Sequence, residues 1–141
     1  MTFSGINYLA ILVAAVVAWI AGAVWYMALG KAWMGAHGWA SRADAPKRTG
    51  PAAGAPFVIS FIAEIVMAWV LAGLIAHLGP GQLTVRNGII SAAFVWLGFV
   101  ATTVTVNNAY PGKPWLLTLI DAGHWLVVLL LMGAVIGAFG V

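Results

Sequence analysis

Apolar residues in this chain fall in four long blocks and do not alternate with polar ones. The blocks cover about residues 6–29, 56–78, 88–106 and 115–140. Each reaches or approaches the roughly 20 apolar residues that a membrane-crossing helix needs. In lipid only helices and closed barrels satisfy their own backbone, and a barrel would show a period of two. The pattern therefore predicts an all-α, polytopic membrane protein of four transmembrane helices, the whole of 1–141 forming one four-span domain. Between the blocks lie polar stretches rich in Gly and Pro: "GKAWMGAHGWASRADAPKRTGPAAGAP", "GPGQLTVRN" and "NNAYPGKP". Pro56 and Pro114 stand where the second and fourth helices begin, positions at which a missing N–H costs little. The opening "MTFSGINYLAILVAAVV" lacks a basic leader segment and reads as a retained helix.

Composition sharpens this picture. Of 141 residues, 64% are apolar and 6% charged. A soluble domain carries about 25% charged residues, so this chain lacks a surface for water. Its net charge of +3 is too sparse for a nucleic-acid footprint. With no cysteine there is no thiolate nucleophile, disulfide or Cys-type metal site.

The few charges are unevenly placed. Lys31, Arg42, Lys47 and Arg48 lie in the first linker and Lys113 in the third, whereas the opposite face holds Arg86 and the amino terminus. Basic loops stay in the cytoplasm, so both termini are expected outside. Trp25, Tyr26, Trp33 and Trp115 fit an aromatic belt at the cytoplasmic interface. Each half of the chain also repeats a plan of helix, basic linker, proline and returning helix. Glu64 and Trp69 follow Pro56 much as Asp121 and Trp125 follow Pro114. Two tandem hairpins related by an axis along the membrane normal would give this match, as would any four-span chain.

Ionisable residues inside the apolar blocks are the candidate chemistry. Asp121 lies about 9 Å into the fourth block and Glu64 about 12 Å into the second from the same side. The two acids are thus expected at similar depth. Thr118, Asp121 and His124 share one helical face, and Ser60 precedes Glu64 by one turn. Asn107, Asn108 and Tyr26 end their blocks on that side. A charge at the bilayer centre costs about 2.5–3.5 kcal/mol. These groups should therefore face the interior, pair with one another or stay neutral. Asp121 and His124 are expected to satisfy each other, with Glu64 facing them. Two readings stand: a proton or ion relay, and a structural clamp that fixes helix register. His37, His77 and His124 lie at different depths, and no metal-binding motif is present, so neither metal nor cofactor is expected. Thr102, Thr103 and Thr105 could line a polar path, but are rather expected to bond back to their own helix or across to another. There is no phosphate-binding loop and no nucleophile motif.

Small residues recur at helical spacing. Ala10, Ala14, Ala18 and Gly22 form one ridge, Ala68, Ala72 and Ala76 a second, and Gly133 and Gly137 a GxxxG pair. Such ridges let helices approach closely. Four helices enclose little interior, so at least one ridge is expected to serve contacts between chains.

The segment "NYLAILVAAVVAWIAGAVWYMALGKAWM" resembles the opening of a bacterial membrane-protein family, domain of unknown function 1761. The resemblance rests on Gly22, Trp25, Tyr26, Gly30, Lys31 and Trp33, and near the end on Lys113, Pro114, Met132, Gly133 and Gly137. Met27, Ala28 and Leu29 depart from the Ser-Pro that the family usually places after Trp-Tyr, so the first helix is expected to run on where relatives bend. The resemblance implies a four-helix membrane fold and supplies no activity; the expected location is the bacterial inner membrane. The leading expectation is a non-enzymatic homo-oligomer or an accessory subunit of a larger membrane complex, embedded in the lipid bilayer. The alternative is a proton-coupled transporter or channel built on Glu64, Asp121 and His124.

Overall fold

The computed structural model describes residues 7–47 and 49–140. Ile6, at the start of the first predicted span, and Arg48, among the counted basic residues, lie outside the described residues. Four long helices dominate: α1 (Tyr8–Ala36), α2 (Ala55–Ala76), α3 (Val85–Ala109) and α4 (Trp115–Phe139), all long and apolar enough to cross a membrane. No strand occurs among the described residues.

The helix starts follow local chemistry. Asn7 Oδ1 accepts from the Ala10 N–H at 3.1 Å and caps α1. Thr84 Oγ1 accepts from Asn87 N at 3.2 Å and caps α3. Pro56 sits in the first turn of α2 and Pro114 at the cap of α4. In the first linker, Ser41 and Asp44 close a capping box around a single 3₁₀ turn. Asp44 is thereby tied to its own loop.

One boundary and one stretch of helix geometry differ from the expected ones. The first helix does not end at Leu29 but continues unbroken to Ala36. Met27, Ala28 and Leu29 are adequate helix formers, and the next turn is held because Trp33 finds a partner on α4. The third helix contains a π-helical stretch, Trp96–Ala101, around Gly98. Thr102 Oγ1 donates to Gly98 O at 2.9 Å, the expected bond back to its own helix.

The core is a layer of small and branched residues from all four helices, among them Ala14, Ala18, Ala68, Leu71, Ala92, Val128 and Met132. Against α4, close approach is extreme. A Cβ on Gly88 would overlap the Gly133 carbonyl, and one on Gly137 would overlap the backbone of Thr84. The α4 GxxxG pair is therefore the seat of the first turn of α3. Ala10, Ala14, Ala18 and Gly22 are all buried within the chain, as are Ala68 and Ala72. Ala76 alone of the residues in these ridges is exposed. The ridges serve packing inside this chain, which removes the reason for assigning one of them to contacts between chains. Helix α3 is the most peripheral. Along Val85–Val95 it buries only Gly88 and Ala92, and it exposes Phe94, Leu97 and Phe99 by 60–73%.

Candidate functional site

Tyr26 and Trp33 are two helical turns apart on α1, so they share a face. Both reach Asp121 on α4. Tyr26 Oη donates to Asp121 Oδ1 at 2.8 Å and Trp33 Nε1 donates to the same oxygen at 3.1 Å. One turn deeper, the His124 ring lies against Tyr26, with centroids 4.8 Å apart, and meets Trp125 edge-on. His124 is buried, and a Cβ on Gly22 would come within 2.6 Å of its Nε2. The Gly22 hydrogen is thus what makes room for the imidazole. Its Nδ1 is buried with no hydrogen-bond partner among the described residues.

The expected Asp121–His124 pair does not form among the described residues. Helical spacing places the two on one face, but a short aspartate turns toward whichever donors lie beside it. Here those are the phenol and indole of α1. His124 is held by shape, between an aromatic ring and a glycine.

Glu64 is separate from this cluster. Trp19 Nε1 donates to Phe57 O at 3.2 Å and to Ser60 Oγ at 3.1 Å, which sets the register of α1 against α2. Tyr26 sets the register of α1 against Asp121. The two anchors are seven residues apart on α1, and Glu64 lies one turn beyond Ser60. Glu64 is therefore about 16 Å deeper than Asp121. The expected equal depth fails because α2 begins late. Its first residue is level with about Val24 of α1, and the other helices continue past it. Glu64 is 2% exposed, and its Oε2 has no hydrogen-bond partner among the described residues.

The remaining candidates form a third group. Asn108 Nδ2 donates to Thr118 Oγ1 at 3.2 Å, joining α3 to α4, whereas Asn107 is exposed. Among the described residues no three His, Asp or Glu side chains gather as a metal site. A small pocket bordered by Asn7, Ala72, Leu83 and Ile136 lies at the opposite end of the bundle.

Sequence reasoning missed the indoles as fasteners. Trp25 Nε1 donates to Ile120 O at 3.1 Å and Trp96 Nε1 to Ala122 O at 2.7 Å. With Trp19 and Trp33, four indole N–H groups each cross to a neighbouring helix. An apolar solvent offers an indole N–H no partner, so it seeks one within the protein. The spacing of Tyr26, Trp33 and Asp121 was the available signal. At the end of α1 the His37 ring stacks on Trp39, centroids 4.6 Å apart, and meets Trp33 at a tilt, centroids 4.1 Å apart.

Chemically, the cluster offers a carboxylate with two donors on one oxygen and a packed imidazole. That arrangement joins α1 to α4. No curated protein and no solved structure matches the chain. The family model described as "Protein of unknown function (DUF1761)" matches residues 9–137, nearly the whole length, and the chain belongs to that family.

Proposed function

We propose that this is a non-enzymatic membrane protein that acts through contact with other chains, as a homo-oligomer or as an accessory subunit of a membrane complex. Asp121 is its internal clamp. The observation that carries this reading is the satisfied Asp121 oxygen, with Tyr26 and Trp33 both donating to it. A carboxylate committed to two donors from another helix holds register. With the small-residue ridges buried inside the bundle, the face offered to another chain is the outer side of α3 around Phe94 and Phe99. The setting is the bacterial inner membrane, basic loops in the cytoplasm and both termini outside. The asymmetry of Lys and Arg supports that orientation.

Because the chain has no cysteine, single cysteines at Phe94 or Phe99 give a clean cross-linking test in native membranes. Cross-links at these sites, to a second copy or to one recurrent partner, are expected, and none at the lipid-facing Ile62 of α2. Equal yields at all three sites would contradict a specific contact.

A second reading, proton-coupled transport, is favoured by one observation. Glu64 Oε2 and His124 Nδ1 are buried without hydrogen-bond partners among the described residues, and ionisable groups within a membrane span mark ion and proton paths.

A further inference from the structure

We propose that Glu64 is a proton-binding site at the centre of the bundle, filled by one proton when the helices are closed. This rests on the transport reading and names the group that binds its proton. Glu64 is the tenth of the 22 residues of α2. Between Tyr8 and Tyr26 on α1, between Arg86 and Tyr110 through α3, and beyond His124 on α4, the sequence holds no titratable side chain. Glu64 is likewise the lone titratable residue of α2. The nearest such groups by level are Tyr26, Asp121 and His124 toward the basic loops, and Tyr8, His77 and Arg86 toward the other end.

The surroundings select the ligand. At this depth α1 presents Ala14, Ala15 and Ala18, and α4 presents Val128 and Met132, all at 0% exposure. A carboxylate here would have no cation, and an unpaired buried charge is strongly destabilising. A metal ion would need several oxygen ligands, and a layer of methyl groups supplies none. A proton needs no further ligand and no added volume. Ser60 is on the same face, one turn nearer the basic loops and only partly buried, so it marks the polar approach along the α1–α2 seam. Releasing the proton requires that seam to open to water.

The test is infrared spectroscopy of the full chain in lipid. The expected result is the carbonyl band of a protonated carboxyl, sensitive to deuteration, present in the native chain and in D121N and absent in E64Q. No such band in the native chain, or a band lost in D121N and kept in E64Q, overturns the proposal. An apolar carbodiimide, which adds to protonated carboxyls buried in lipid, gives an independent reading on the native chain. One adduct mapped to Glu64 supports the site, and an adduct on Asp121 alone overturns it. Proton uptake into proteoliposomes separates the two levels. The band without uptake keeps the site and removes transport, whereas uptake that persists in E64Q removes the site as the carrier.

Discussion

At the scale of single residues, four glycines rank the tightness of the bundle. Gly88 meets backbone, which has no rotamer to yield, so G88A should be the most disruptive, costing about 1–3 kcal/mol as an overpacked core does. G22A meets the tip of a buried imidazole and should cost less, with the His124 ring displaced from Tyr26. A Cβ on Gly30 or Gly98 meets nothing within 4 Å. On the regular helix of α1, G30A should therefore be neutral or stabilising by about 0.5–1 kcal/mol. Thermal unfolding of these three variants in one detergent checks the order, and G30A at or below G88A would contradict it. The Asp121 clamp is read by a double-mutant cycle on Y26F and D121A. A coupling of about 0.6–1.7 kcal/mol is expected for a hydrogen bond between membrane helices, and zero coupling would mean that the 2.8 Å contact holds nothing.

At the scale of elements, the helices were legible and their mutual levels were not. Apolar block length marks a helix because lipid leaves the backbone no other choice. It says nothing about where one helix sits against the next. That is fixed by particular contacts, Trp19 with Ser60, Tyr26 with Asp121 and Gly88 with Gly133. Glu64 and Asp121 looked level because both were measured from the starts of their own helices. The same limit explains Asp121 and His124, which share a face by spacing, while the choice of partner belonged to α1. The π stretch of α3 had only Gly98 as a signal. It is tied to α4 by the Trp96 indole at 2.7 Å. W96F should remove that tie at a cost of about 0.6–1.7 kcal/mol. Amide hydrogen exchange should then quicken around Trp96–Ala101 while α1 is unchanged. An equal rise along α1 would show global loosening instead.

At the scale of the whole molecule, α4 is the shared wall. It receives the indoles of Trp25, Trp33 and Trp96, the phenol of Tyr26, the amide of Asn108 and the backbone of Gly88. Helix α1 closes on one side of it and α3 on the other, and α3 keeps an open flank of Phe94, Leu97 and Phe99. Trp25, Tyr26 and Trp33 of α1 are committed to α4, whereas Glu64 Oε2 and His124 Nδ1 have no hydrogen-bond partner among the described residues. The most direct measurement is the mass of the particle cut from native membrane together with its surrounding lipid. A whole multiple of this chain, or this chain with one constant companion, is the predicted result. A particle holding a single copy and no other protein would contradict the account.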